Sequence, residues 1–372
     1  MVENFWLGMA IIFLSGIFNG SFALPLKYAQ RWKWENTWLV FSVVGVFLLP
    51  WFMAYRFVPH LAEVYRSVPP RVFFWAILFG LLWGMAQTTY GLSLAAVGLA
   101  IAVAIVSGLA SLSGALVPLL VLNPSAIFHA RGVFLLASLP LFLVGLGIYA
   151  AAGRSREKEQ PPQAAGGFLP PKSFKTGLAL CIFTGAFGSA FNLGFAFSGD
   201  IVRRSLEAGA RPATAGYAVW SVVLGAGFLP NFLYSLYLCF RNHSLPTFFQ
   251  KGWLREALLA VSIAVVWLSG LFLYGWGATL VGVYGTSVGY TLFTAMSVVS
   301  ATAVGMLTGE WQATSRHSRR LLAAGVGTIL LSVVVLNLGG LFPGQTSEKI
   351  SPRNGRRHLA HGEPAGGCRR RS

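Results

Sequence analysis

Residues 257–309 read ALLAVSIAVVWLSGLFLYGWGATLVGVYGTSVGYTLFTAMSVVSATAVGMLTG, fifty-three positions without one Asp, Glu, Lys or Arg. A charge at the centre of a spanning helix costs about 2.5–3.5 kcal/mol on insertion scales, so such a run marks hydrocarbon. A span needs about 20 residues, and this run therefore holds two helices back to back. The break between them is expected at Gly275 to Gly282, because glycine disfavours helix continuity. A second long run, 72–130, carries the same logic, with its break expected at Gly91 to Gly98. Six further uncharged runs, 4–26, 36–55, 132–153, 176–199, 212–240 and 321–347, fit one helix each. The reading is an all-α membrane protein with ten transmembrane helices.

Composition agrees. Charged residues make up 10% of the 372-residue chain and hydrophobic ones 55%, which is too little polar surface to cover a soluble globule. The net charge of +17 is placed between apolar runs and in the tail, where anionic lipid headgroups are the fitting partner; no soluble domain exists to read nucleic acid. Three cysteines, Cys181, Cys239 and Cys368, share no metal-like spacing, so neither a metal site nor a disulfide framework is expected. The first apolar stretch follows only Glu3, lacks a basic leader, and reads as a retained first span.

The chain also repeats itself. Residues 16–22, GIFNGSF, resemble 185–191, GAFGSAF. Trp83, Tyr90 and Gly98 recur as Trp267, Tyr274 and Gly282 at a common offset of 184. This divides the chain into a first five-helix repeat, 1–153, a linker, 154–175, a second five-helix repeat, 176–342, and a basic tail, 343–372, expected to be disordered. Five spans per half force the second half into the membrane from the opposite side, a 5+5 inverted repeat of the kind many secondary transporters use. Both termini then lie on one side. Basic residues divide evenly between the two faces, so charge bias does not orient the chain.

Catalytic signatures fail. Gly285-Thr286-Ser287-Val288-Gly289 matches G-x-S-x-G but sits in an uncharged apolar run, without the strand-turn-helix setting that motif requires. No phosphate loop or H-E-x-x-H pattern occurs. No catalytic residue, metal ligand or cofactor is expected. Polar residues inside the spans are the better pointer: Asn19, Gln87, Tyr90, Asn192, Trp220, Tyr284 and Tyr290 form the candidate substrate-binding set, with Asn231, Thr286, Thr291 and Thr294 nearby in sequence. Each could instead bond a neighbouring helix, at about 0.6 kcal/mol. Together, amides, hydroxyls and aromatic faces suit a small neutral polyol. Ionisable groups fall at span edges, where Lys27, Glu35 and Glu310 are candidates for coupling or gating. Trp32, Trp34, Trp38 and Trp51 have the look of interfacial anchors. Pro50, Pro118 and Pro230 are expected to kink helices.

The residues Pro25-Leu26-Lys27, Arg31-Trp32-Lys33-Trp34-Glu35, Leu49-Pro50-Trp51, Phe79-Gly80, Trp83-Gly84, Tyr90-Gly91-Leu92 and Glu310-Trp311 together resemble the bacterial L-rhamnose–proton symporter family, within the drug/metabolite transporter superfamily. The resemblance runs from residue 5 to about 340. It implies a ten-helix inverted-repeat fold in the bacterial inner membrane, with uptake of L-rhamnose and protons. It also places Lys27, Glu35, Gln87, Tyr90 and Glu310 at positions where that family is similarly polar. Two alternatives are a carrier of the same fold moving another small metabolite without a dedicated proton site, and a membrane-embedded enzyme.

Overall fold

The computed structural model describes residues 4–97, 99–159, 174–309 and 311–339. The expected tail, 343–372, and Glu310 fall outside that set. No strand occurs among the described residues. Fourteen α-helices follow in order: α1 (Phe5–Ser21), α2 (Trp34–Phe41), α3 (Leu49–Phe57), α4 (Leu61–Ser67), α5 (Pro70–Val97), α6 (Leu99–Leu122) and α7 (Ala130–Glu159), then α8 (Phe174–Gly188), α9 (Ala190–Phe197), α10 (Gly199–Glu207), α11 (Tyr217–Arg241), α12 (Trp253–Val281), α13 (Val288–Leu307) and α14 (Arg316–Leu338).

Nine helical segments among the described residues are long and apolar enough to cross a bilayer. Two are composite. Trp34–Phe57 joins α2 to α3 through a π-helical stretch, Ser42–Leu48, ahead of Pro50. Lys175–Glu207 runs through α8, α9 and α10, interrupted at Ser189 and Ser198. The run expected as the first span contains α1, which at 17 residues is shorter than the others and rises about 25 Å. A 3-10 turn, Leu24–Tyr28, follows it.

The first long run is described as α5, ending at Val97, and α6, beginning at Leu99; residue 98, at the far edge of the expected window, lies outside the described residues. In the second, Gly275 stays helical and Gly282 supplies the turn, with φ 76°, a backbone region that favours glycine. Tyr284 and Thr286 therefore belong to the α12–α13 link, not to a helix with Tyr290. At the expected linker, α7 continues through residues 154–159. Pro118 and Pro230 lie inside α6 and α11.

Side chains as apolar as lipid gain nothing by turning inward, so close backbone approach carries the helix packing. α1 lies on α12 and α13; α8 and α9 lie on α5 and α6; α11 meets α5 and the α2–α3 segment; α7 pairs with α14. Small residues mark the crossings. A Cβ on Gly8 of α1 would come within 2.8 Å of the Gly277 carbonyl of α12. The outer wall is apolar and open, with Phe52 59% and Phe240 60% exposed, as a lipid-facing surface requires.

Two ends of the bundle are defined by contacts. At the first, the Arg131 guanidinium lies 4.2 Å from the Phe5 ring, Tyr284 donates to the Ala126 carbonyl at 3.1 Å, and Gly339 abuts Arg131. At the second, Lys33 Nζ donates to the Asn242 carbonyl, and Asn36 Nδ2 to the Ser244 carbonyl at 2.9 Å. Glu159 there accepts from Ser315 N at 2.7 Å and Ser318 Oγ at 2.8 Å, bonds that hold its carboxyl below the usual range.

Candidate functional site

A cavity of about 290 Å³ lies among the spans, close to the lower limit of small-molecule sites at roughly 300 Å³. Its wall draws on the later part of α1 (Asn19) and the first turns of α2 (Trp38, Phe41). α5 adds Trp83, Gln87 and Tyr90, and α6 adds Ser107 and Ser111. The second half of the chain contributes Thr184, Phe191, Asn231, Trp267, Tyr290 and Thr294. The parts of α1, α2 and α11 involved are those nearer the second end, so the cavity extends from mid-bundle in that direction.

Its aromatic frame is ordered. Trp83 and Trp267 stack at 5.7 Å and 11° between planes. Phe41 meets Trp267 edge-on at 5.4 Å, and Phe191 meets Trp83 at 6.1 Å. Several polar wall groups are bonded within the protein. Asn19 Nδ2 donates to Ser297 Oγ at 3.0 Å, Trp38 Nε1 to Asn231 Oδ1 at 3.3 Å, and Thr184 Oγ1 lies 2.8 Å from Thr89 Oγ1. Gln87, Tyr90 and Tyr290 differ: their side-chain polar groups have no hydrogen-bond partner among the described residues, and all three line the cavity. Among the described residues, no Asp, Glu, Lys, Arg or His lines it.

The sequence-derived set divides accordingly. Asn19, Gln87, Tyr90 and Tyr290 come together on the wall. Asn192, Trp220 and Tyr284 do not. Asn192 is fully buried and donates to the Gly114 carbonyl at 2.8 Å and the Thr286 carbonyl at 2.9 Å, and it accepts from the Tyr274 hydroxyl. Trp220 is fully buried and stacks on Phe195 at 4.6 Å. Tyr284 closes the first end through Ala126. Each has its polar atom or ring engaged by the fold, which removes it from the wall.

Glu35 is buried on the first turn of α2, outside the wall, with Oε1 accepting from Asn242 Nδ2 at 3.0 Å. Lys27 belongs to the 3-10 turn after α1; its side chain, like Glu310, lies outside the described residues. Glu256, which the sequence did not single out, is also buried, and its carboxylate accepts from the Gln30 amide at 3.3 Å. Trp38 is a wall residue as well as a stacking partner of Trp34. The reading also missed Trp83 and Trp267 as wall residues. Their shared offset of 184 in the sequence was the available signal. No group of three potential metal ligands occurs among the described residues.

Comparison with known proteins adds the identity of the family. The family model described as L-rhamnose-proton symport protein matches residues 1–341. The L-rhamnose-proton symporter of Cronobacter sakazakii is 26% identical over 333 residues, which cover 86% of this chain and 93% of that protein. That of Mannheimia succiniciproducens is 24% identical over 341 residues, covering 90% and 97%. That of Klebsiella pneumoniae strain 342 is 24% identical over 329 residues, covering 86% and 93%. The matched family consists of proton symporters and not of enzymes. A helical membrane protein with an aromatic cavity between its spans, matched from residue 1 to 341, belongs to the L-rhamnose–proton symporter family.

Proposed function

We propose that this protein is a secondary carrier that imports a small neutral sugar, L-rhamnose with protons, across the bacterial inner membrane by alternating access. The observation that carries this is the trio Gln87, Tyr90 and Tyr290, which line the cavity with polar groups that have no partner among the described residues. A sugar hydroxyl supplies what a free amide and two free phenols lack. Trp83, Trp267 and Phe191 offer flat apolar faces for the C–H side of a sugar ring. Asn19 completes the binding set. Lys27, Glu35 and Glu310 are assigned to coupling or gating, Glu35 from the second end, where α2 begins.

The architecture in this reading is a 5+5 inverted repeat, with α1 as the tenth span, halves at 1–153 and 176–342, a connection over 154–175, and a basic tail from 343. Three features support it. α1 packs on α12 and α13 as α8 and α9 pack on α5 and α6. The α2–α3 segment meets α11, and α7 meets α14, each pairing equivalents. Trp83 stacks on Trp267, its mate at the 184 offset.

One observation favours a second reading, a carrier of another small neutral metabolite without a proton site: residues 269–309 contain no acid or histidine, and the described wall contains none either. Uptake of labelled L-rhamnose into vesicles, with and without an inward-acid pH gradient, decides between them. Gradient-dependent accumulation supports rhamnose–proton symport. Absence of rhamnose uptake under both conditions supports the other metabolite.

A further inference from the structure

The cavity stops short of the first end, and what stops it is polar. Beneath Tyr290 and Phe191 lies Asn192, on α9 just past the break at Ser189. Its amide nitrogen donates to Gly114 of α6 and to Thr286 of the α12–α13 link, while its oxygen accepts from Tyr274 of α12. One side chain thus ties four segments together. The surroundings are dry: Asn192, Tyr274 and Ser189 are all fully buried. The wall residues Asn19, Gln87 and Tyr90 above it are only partly buried.

Gly114 makes the approach possible. A Cβ there would lie 2.2 Å from the Tyr290 ring, so Tyr290 can seat directly over the knot. Ser189 at the helix break lies 2.7 Å from Ser113 Oγ, tying the interruption to α6. A broken helix beside a cavity is where transporters place moving parts, because the break lets one part swing without deforming the other. A buried knot of carbonyls and an amide is held strongly while dry, and its groups find replacement partners once water enters.

Resting on the carrier reading, we infer that the Asn192 knot is the closed gate of the first end. Opening the cavity to that end breaks the bonds to Gly114, Thr286 and Tyr274 and lets α9 and the α12–α13 link separate. Asn192 is a gating residue and does not contact the sugar.

The test is sided thiol labelling. Thr294→Cys places a reporter on the cavity wall in a background with Cys181, Cys239 and Cys368 changed to Ser. A membrane-impermeant maleimide is applied to vesicles of either orientation, and an N-terminal protease-cleavable tag reports which end faces out. Tyr274→Phe keeps the ring and removes one bond of the knot. It is expected to raise labelling from the first end roughly five-fold, the population shift worth one net hydrogen bond, and to lower labelling from the second end. Asn192→Ala is expected to exceed that. Loss of packing alone raises labelling from both ends alike. An equal rise from both ends, or no change from the first end in either variant, overturns the gate. The sugar is tested separately: protection of the reporter by L-rhamnose supports the substrate, and its absence with the sided shift intact sinks the sugar while the gate stands.

Discussion

Tyr65 sits on α4, outside the spanning segments, where its hydroxyl donates to the Ala218 carbonyl at 2.9 Å and lies 2.7 Å from Ser221 Oγ. Burial pushes its pKa from 10.0 up to about 12, with the Ser221 bond pulling the other way. The native state therefore holds this proton more tightly than the unfolded chain does. The stabilisation is fully present below pH about 10 and is lost as pH rises through about 12. Thermal unfolding of the detergent-solubilised protein is expected to show a Tm that declines between those values, and Tyr65→Phe to flatten the decline. At neutral pH that variant is expected to cost about 1 kcal/mol for its lost bonds. Nothing in the sequence marks Tyr65. Its partners are more than 150 positions away, and only folding brings them together.

At the scale of elements, the crossing of α5 and α11 depends on bare backbone. A Cβ on Gly84 would lie 2.4 Å from the Gly227 carbonyl, and one on Gly227 would lie 2.6 Å from the Trp83 ring. Gly84→Val is expected to wedge these helices apart and to destabilise by about 1–3 kcal/mol, the usual penalty of overpacking. Because Trp83 is in the cavity wall, sugar binding should weaken with it. Gly147 of α7 is the control: nothing lies within 4 Å of its Cβ position, so Gly147→Ala is expected to leave the Tm unchanged or slightly raised. Tm and binding isotherms of both variants check this. The sequence shows glycines at small-residue spacing, such as Gly16/Gly20 and Gly225/Gly227, but not which of them pair. Such spacing marks where a helix can be approached, not by which neighbour.

For the whole molecule, Phe5 and Gly339 both lie against Arg131, so the start of α1 and the end of α14 share one end of the bundle. A bacterial carrier of this form is expected to keep both termini in the cytoplasm. A C-terminal fluorescent-protein fusion should glow, an alkaline phosphatase fusion at the same point should stay inactive, and an N-terminal epitope should resist protease in intact spheroplasts. The opposite pattern would reverse the direction in which the proposed gate opens. Charge could not decide this, since basic residues fall evenly on both faces.

What the sequence determined by itself was the solvent and the segmentation. A chain with 10% charged residues and uncharged runs of 53 and 59 positions has to place those runs in hydrocarbon, and their lengths count the helices within about one. The repeat and the motifs around Pro25 to Glu35 pointed to the family now matched over residues 1–341. The tertiary structure alone decided which polar residues face the cavity. In water a helix declares its inner face through amphipathic periodicity. In lipid both faces are apolar, so Gln87 and Asn192 look alike in sequence. Gln87 lines the cavity with an amide that has no partner among the described residues, whereas the amide of Asn192 is bonded to Gly114 and Thr286.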